Sequence, residues 1–575
     1  MRYQPIYDIA ELCVRQNINQ VVLCPGSRCA PLTLAFTRHS GITARTFSDE
    51  RSAGFIALGM AQSTGKPVVV VCTSGTAVYN LAPAVAEAFF SHTPLVVITA
   101  DRPAEWIAQH DGQTIYQPEI FGKHVKKYFQ LPQDYDYPDS QWAINRMVNE
   151  ALNLSRQLAP GPVHINAPFR EPLYPKADET ITYSSDIRVI HEHAPAPALT
   201  AEVKSEITSA MGRFQNILVV AGQQVADADT IGAISGFQKM LHVPVVHDII
   251  SNLHEVDAGV QHSDLFLGQA SDTLKEMLRP DLLITFGQSL ISKNLKIFLR
   301  KYPAKKHWHV QTAGPVADTF KNLTDVFYTH PAPFLEVLST AEASSEFENQ
   351  KQKNYCKLWE VEERRVLQVL DEFFREGEHS ELKMVRTLLE NLPDNSNLHL
   401  ANSMSVRYGN FIGLTAGKKG IRVFSNRGTS GIDGSNSTAV GHSLVSGRPN
   451  FLLTGDLAFF YDRNAFWHNY SLPNLRVLLL NNHGGLIFDV LDGPSSMPEA
   501  SEYFITRQML NGLELCNEFG FEYLRVDHSG KLKSSFRDFL EFGNSAKVME
   551  YESDTPRNKR LFEQLKLKIK NSYEL

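Results

Sequence analysis

Phe451-Leu452-Leu453-Thr454-Gly455-Asp456 is followed by Arg476-Val477-Leu478-Leu479-Leu480-Asn481-Asn482, and how this pair is read decides the fold. Each is a short apolar run that stops on small or polar residues. Neither shows the polar alternation of a half-solvated strand. Such runs are typical of a parallel sheet covered by helices on both faces. In open sheets of that kind ligands collect at the carboxyl ends of the strands. Asp456 and Asn482 fall there, 26 positions apart. A carboxylate and an amide oxygen at the ends of neighbouring strands can share one hard cation. Magnesium takes oxygen ligands and keeps diphosphate oxygens and water in its shell. Gly455 and the Gly484-Gly485 pair would let backbone approach a diphosphate, and a helix predicted near Leu457 would point its N-terminus at it. The same residues also fit a Gly-Asp turn and an Asn-Asn turn without metal; the two together, at this spacing, favour the metal–diphosphate site.

The pattern repeats along the chain. Val21–Cys24, Val68–Cys72, Leu95–Thr99 and Pro162–Ile165 are apolar runs separated by helical stretches, the first helix being Ile6–Arg15. Residues 175–200 are rich in Pro and Ala and read as a linker. Ile217–Ala221, Pro244–His247, Leu282–Thr285 and His307–Val310 form a second set of strands. The charged stretch 341–380, with a helix over Tyr355–Phe374, connects to a third set: Leu398–Ala401, Arg422–Ser425, Phe451–Leu453 and Arg476–Leu480. A helix striped by Leu382, Val385, Leu388, Leu389 and Leu392 opens that third block. The expectation is an α/β chain of three doubly wound parallel-sheet domains, over 1–180, 195–345 and 375–575, one architecture used three times.

Composition agrees and excludes much. The 575 residues are 43% hydrophobic and 21% charged, with a net charge of −7. That is ordinary globular composition, and no Lys/Arg run points to nucleic acid. The six cysteines (Cys13, Cys24, Cys29, Cys72, Cys356, Cys516) form no CxxC, and no Cys/His set has zinc spacing. They are too sparse for a disulfide scaffold, so a reducing cytoplasm is the expected location. The longest apolar runs, Pro67–Cys72 and Val477–Leu480, fall far short of the roughly 18 residues of a membrane span.

Two further signals sit at predicted strand ends. Ser48-Asp49-Glu50-Arg51-Ser52-Ala53 opens a helix, where an acidic residue ordinarily just complements the macrodipole. Pro25-Gly26-Ser27-Arg28, Thr73-Ser74-Gly75-Thr76 and Ser425-Asn426-Arg427-Gly428 are Ser/Gly turns whose amides suit anions; they are also what tight strand–helix connections require.

Jointly these residues resemble the thiamine diphosphate enzymes. Within them the likeness is to the 2-succinyl-5-enolpyruvyl-6-hydroxy-3-cyclohexene-1-carboxylate synthase family of menaquinone biosynthesis. It rests on CPGSRCAPLTLAF (24–36), FSDERSAGFIALGMA (47–61), TSGTAVYNLAPAVAEA (73–88), TADRPAE (99–105), NSMSVR (402–407), SNRGTSGIDG (425–434), TGDLAFFYD (454–462) and NNHGGLIF (481–488). The resemblance implies a pyrimidine-binding, a central and a diphosphate-binding domain. Glu50 matches the residue that bonds the cofactor's pyrimidine ring and promotes proton loss from the thiazolium. Asp456, Asn482 and the Gly484 carbonyl match the ligands of Mg2+, with Mn2+ expected to substitute. Thr76, Gln113, Ile432, Gly455, Leu457, Gly485, Ile487 and Phe488 match further cofactor contacts, Ile432 being the wedge that bends it.

The resemblance also implies the reaction: decarboxylation of 2-oxoglutarate and addition of the succinyl unit to isochorismate. Ser403, Arg407 and Arg427 match the residues at the succinyl end; Ser27, Arg28, Arg102 and Lys293 match those facing the isochorismate carboxylates. Ser403 and Arg407 lie one helical turn apart, so both can face one ligand. The chain departs from the family pattern at Leu457 in place of a second Gly after Asp456, at Asn294 in place of a base, and at Gly112 in place of Asn. A homodimer or homotetramer with shared sites is implied, with no nucleic-acid partner. The alternatives are another 2-oxo acid decarboxylase or acetohydroxyacid synthase, with less need of Arg407 and Arg427, and a nucleotide-binding regulatory protein. For the last, Val219-Val220-Ala221-Gly222-Gln223-Gln224 lacks the G-x-G-x-x-G fingerprint, and no FAD is expected.

Overall fold

A computed structural model describes residues 3–176, 179–193, 195–225, 227–340, 350–490, 494–526 and 532–574. All strand pairs within its three sheets are parallel. The first holds β1 (Gln20–Leu23), β2 (Thr43–Thr46), β3 (Val68–Cys72), β4 (Leu95–Asp101), β5 (Tyr128–Gln130) and β6 (Val163–Pro168), in the order β2-β1-β3-β4-β6-β5. The second holds β7 (Ile217–Ala221), β8 (Val245–His247), β9 (Leu282–Phe286), β10 (Lys306–Gln311) and β11 (Asp325–Tyr328), in the order β11-β10-β9-β7-β8. The third holds β12 (Asn397–Leu400), β13 (Arg422–Phe424), β14 (Asn450–Gly455), β15 (Leu475–Asn481), β16 (Glu522–Val526) and β17 (Lys547–Glu552), in the order β13-β12-β14-β15-β17-β16. Each sheet's first four strands thus follow one scheme, and the first and third sheets match throughout.

Every strand expected from the apolar runs forms; Val68–Cys72 and Ile217–Ala221 match at both ends, and the ends of the others are displaced by up to three residues. β2, β5, β11, β16 and β17 form in addition. The connecting helix is longer than expected, Gln350–Glu376. The stretch read as a linker has no helix or strand among its described residues until Ala201. It is not loose, however: Ser184 bonds Asp8, while Asn149 and Asn153 donate to the carbonyls of Arg188 and Ile190, binding the stretch to the first block.

The cores are shared between blocks. One apolar cluster joins Val22, Ile56 and Val70 of the first block to Leu452, Val477 and Leu479 of the third. Another joins the middle block, through Phe266 and Phe298 against Trp359 of the connecting helix, to the third. At the closest point the helix Glu50–Thr64 crosses the helix Ser435–Val445. A Cβ on Gly59 would stand 2.1 Å from the Thr438 carbonyl oxygen, and one on Gly441 2.1 Å from that of Ile56. Only glycine permits that approach. Among the described residues no helix is long and apolar enough to cross a membrane.

Candidate active site

Neighbours β13, β12, β14 and β15 all point their carboxyl ends the same way. The residues just beyond those ends line one cavity of about 480 Å3. They include Asn402, Ser403 and Arg407 after β12, Arg427 and Ile432 after β13, Gly455–Leu457 at the end of β14, and Asn482 and Gly484–Phe488 after β15. Every third-block residue singled out from the sequence therefore meets in one place.

The floor of the cavity is acidic and oxygen-rich. Asp456 is 2% exposed, and burial pushes its carboxyl up to about 6, although the Gln508 amide donates to it at 2.7 Å. Asn482 Oδ1 is buried and has no hydrogen-bond partner, an acceptor left for something else. A Cβ on Gly455 would meet only Ser405 Oγ, at 3.9 Å, so a side chain there would fill cavity space. A hard cation and a diphosphate fit this donor set: one carboxylate, one amide oxygen and nearby amides at the start of the helix Asp456–Tyr461. Among the described residues no group of three or more His, Cys, Asp or Glu is placed to hold a metal, so the oxygen set stands without a zinc-type competitor. Gly484 and Gly485 are small for another reason than diphosphate approach. A Cβ on Gly484 would come within 2.8 Å of Ile505 Cγ2, and one on Gly485 within 3.0 Å of Phe488 Cδ2, with the Ile505 carbonyl beside both.

The wall is basic. Ser403 has φ 73° and caps the helix Met404–Ile412, so it precedes the helical turn on which the sequence reading placed it; Arg407 donates to its carbonyl at 2.5 Å. Arg427 donates to Asn402 Oδ1 at 2.8 Å, and its Nε is buried without a partner. Burial makes both guanidinium charges costly, and at Arg407 the nearby Arg427 adds to the cost. Among the described residues neither makes an ion pair. The Arg427 loop is held from the first block: Glu87, fully buried, accepts from Gly428 N at 2.9 Å, Thr429 N at 2.6 Å and Thr429 Oγ1 at 2.8 Å. Burial raises the pKa of Glu87 despite those three donors. Lys293 is exposed at the head of the helix Lys293–Lys301. Its neighbour Ser292 bonds Asp248, and Asn410, three residues beyond Arg407, donates to both at 3.2 Å. Asn294, where a base was expected, is engaged with Asp264.

The first-block residues lie elsewhere. None of Ser27, Arg28, Glu50, Thr76, Arg102 and Gln113 lines this cavity. Glu50 begins the helix Glu50–Thr64 and touches Asn80 at 3.4 Å. Both its chain neighbours are gripped by 461–464 of the third block. Asn464 donates to Asp49 Oδ2 at 2.7 Å; Arg51 donates to the Tyr461 carbonyl at 2.8 Å and stacks over its ring at 4.4 Å. Ser27, Thr76 and Gln113 are exposed. Arg28 is 6% exposed and already bonded to the Phe169 carbonyl and Glu171. Arg102 bonds the carbonyl of Gly112, where Asn was expected, and pairs with Asp111 at 2.8 Å. Glu381, Asn402 and Gln508 were not found from the sequence. Asn402 stands in the quoted NSMSVR stretch, but Glu381 and Gln508 lie in stretches with no turn or strand-end signal.

Residues 7–121 match the family described as "Thiamine pyrophosphate enzyme, N-terminal TPP binding domain", and 198–400 match "Middle domain of thiamine pyrophosphate". The chain is 43% identical over 571 residues to the 2-succinyl-5-enolpyruvyl-6-hydroxy-3-cyclohexene-1-carboxylate synthase of Cytophaga hutchinsonii, covering 99% of this chain and 100% of that one. It is 37% identical to the Bacteroides thetaiotaomicron protein of the same name (93% of each chain) and 36% identical to that of Flavobacterium johnsoniae (97% of each).

Proposed function

The chain belongs to the 2-succinyl-5-enolpyruvyl-6-hydroxy-3-cyclohexene-1-carboxylate synthase family of thiamine diphosphate enzymes, and from that premise we propose how its residues divide the reaction. It decarboxylates 2-oxoglutarate and adds the succinyl unit to isochorismate, a step of menaquinone biosynthesis. The observation that carries the substrate is the pair Arg407 and Arg427: two guanidiniums without ion pairs among the described residues, in the cavity that holds Asp456 and Asn482. A cavity that keeps two half-buried cations without an ion pair among the described residues awaits a polyanion. Pyruvate, the substrate in the acetohydroxyacid synthase alternative, lacks the second carboxylate they would bind.

Asp456, Asn482 and the Gly484 carbonyl would hold Mg2+, or Mn2+ in its place, with Gly455, Leu457 and Gly485 beside the diphosphate. Bound thiamine diphosphate supplies the carbon nucleophile and electron sink that decarboxylation of a 2-oxo acid requires. Ile432, Ile487 and Phe488 give its rings an apolar bed. Glu50 holds and moves the proton at the pyrimidine nitrogen, with Thr76 and Gln113 near it. Ser403 joins the two arginines at the succinyl end. Ser27, Arg102 and Lys293 meet the isochorismate carboxylates, and Arg28 reaches them by exchanging its bonds to Phe169 and Glu171.

Because Glu50 does not line the cavity of its own chain, it serves the cavity of a second copy, and the working unit is a homodimer or a homotetramer of such pairs. Tyr79 and Tyr116, 56% and 74% exposed beside the first-block turns, support that contact. The domain division follows the sheets: 1–180, 195–345 and 375–575. All six cysteines are free and buried, which suits a reducing cytoplasm.

The test is CO2 release from 2-oxoglutarate with thiamine diphosphate and Mg2+, with and without isochorismate. Slow release alone and stoichiometric release coupled to isochorismate loss are expected. Faster release from pyruvate, indifferent to isochorismate, would overturn the substrate assignment.

A further inference from the structure

We infer that Glu381 is a positioning residue: it decides which atom of Asn482 meets the cation. This rests on the reading of Asp456 and Asn482 as metal ligands. An asparagine amide carries an oxygen and a nitrogen of nearly equal size, and only one orientation offers a cation an acceptor. Asparagine itself does not choose between them; its other partner does.

That partner is a buried carboxylate. Glu381 is 1% exposed, opens the helix Glu381–Asn391 and lines the same cavity as Asp456. Its Oε1 accepts from Asn482 Nδ2 at 2.9 Å and from Ser553 Oγ at 2.7 Å. Oε1 of this carboxylate accepts, so it takes the NH2 end of Asn482 and turns Oδ1 away. Oδ1 is the buried atom without a partner. Glu381 is itself held in place. Asn558, 3% exposed, accepts from Glu381 N at 3.2 Å and donates to Ser553 Oγ at 3.0 Å. A chain of buried hydrogen bonds therefore runs from the C-terminal helix Thr555–Asn571 to the amide that meets the cation. Partners that orient a metal ligand in this way typically change metal affinity by about 10–100-fold when removed.

Orientation must be separated from charge, because a carboxylate beside a cation also attracts it. The experiment measures Mn2+ binding to the full chain with thiamine diphosphate present, by the electron paramagnetic resonance of free Mn2+. Thermal melting without metal checks that each variant is folded. Glu381→Ala removes both orientation and charge and should weaken Mn2+ about 10–100-fold. Glu381→Gln keeps an acceptor oxygen for Asn482 and loses the charge; orientation predicts affinity within about threefold of wild type, well below the loss expected when the partner is removed. Asn482→Asp adds a negative charge at the cation but sets two carboxylates against each other. It should bind Mn2+ more weakly than wild type, and the double variant Asn482→Asp/Glu381→Gln should recover, because the Gln amide can donate to the new carboxylate. Equal losses in Glu381→Ala and Glu381→Gln, or an Asn482→Asp protein that binds as well as wild type, overturn the inference. If Glu381→Ala does not fold, Glu381→Gln and the double variant decide alone. A wild type that takes up no Mn2+ overturns the ligand reading itself, and this inference with it.

Discussion

The first and third sheets follow the same strand order, β2-β1-β3-β4-β6-β5 against β13-β12-β14-β15-β17-β16, yet their carboxyl ends differ. In the third, the residues beyond four adjacent strands converge on one cavity, with Asp456 buried and Asn482 half-buried at its floor. In the first, Ser27, Thr76 and Gln113 stand exposed and do not line that cavity. A strand order supplies a row of loops at one edge; what those loops carry decides whether the row becomes a whole site or half of one. The third block is closed over by its own Gly484–Phe488 and Ile505–Gln508 segments. If Glu50 serves a second copy, a second chain covers the first block's turns.

The division is broken most sharply by Glu50→Gln. If the first block contributes only the proton relay, turnover should fall by on the order of 10²–10⁴, the usual worth of general acid–base catalysis. Affinity for Mg2+ and thiamine diphosphate, measured by calorimetry, should stay close to wild type because Asp456 and Asn482 are untouched. Loss of cofactor binding together with turnover would make the two halves one site and dissolve the contrast.

Arg427→Ala probes the other half. It should raise KM for 2-oxoglutarate by roughly tenfold or more, since one charge-assisted hydrogen bond contributes about 1.5–3 kcal/mol. Mg2+ affinity should not move. A comparable loss of metal binding would place Arg427 in the fold of the cavity, as its bond to Asn402 Oδ1 allows.

A smaller effect concerns the joint between the halves. Asn464→Ala removes the donor to Asp49, the residue that also caps the Glu50 helix through Ser52 N at 3.1 Å. One such bond is worth about 1 kcal/mol, so kcat should fall several-fold while KM for 2-oxoglutarate and metal affinity stay unchanged. Asn464→Gln should not rescue, because the longer side chain overshoots a 2.7 Å contact. An unchanged kcat would mean that Glu50 needs no such clamp.

What could be read from the sequence follows the same contrast. Most of the expected strands were uninterrupted apolar runs, and all of the expected strands form. Of the five that were missed, β2, β5, β11 and β16 are sheet edges, half-solvated and therefore without such runs. The fifth, β17, is interior but carries Glu550, whose charge breaks the run. Glu550 is buried because it accepts from Asn481 Nδ2, Gly512 N and Tyr523 OH. Long-range partners of that kind have no local signature. Glu381 escaped for the same reason: beside Leu382 it reads as an ordinary acidic helix start, and only the fold brings Asn482 and Ser553 to it. Asp456, Asn482 and the glycines beside them were legible because each stands at or just after the end of a strand, so local sequence and site coincide; Ser403, Arg407, Arg427, Ile432, Ile487 and Phe488 came from the family resemblance. Arg28 and Arg102 also follow strands, yet their bonds to Phe169, Glu171, Gly112 and Asp111 come from segments that sequence could not place beside them.

The smallest effect is a pH dependence at the joint. Asp462 is fully buried between the blocks and accepts from Ser437 N at 2.7 Å and Ser437 Oγ at 2.8 Å; burial lifts its carboxyl to about 7. A carboxyl whose folded value is raised binds its proton more tightly in the native state than in the unfolded one. Its contribution to stability is therefore fully present at low pH and is lost as pH rises through about 7. Between pH 6 and 8 the wild type should lose melting temperature relative to Asp462→Asn, by roughly 2–4 °C, the shift that 1 kcal/mol produces in a protein of 150–250 residues and an upper figure for this longer chain. Ser437 would keep an oxygen acceptor in the variant, so its helix should not unravel. Parallel melting curves for the two proteins across that range would show that ionised Asp462 is fully compensated by Ser437 and the nearby Arg51, and that the joint holding Glu50 in place does not depend on pH.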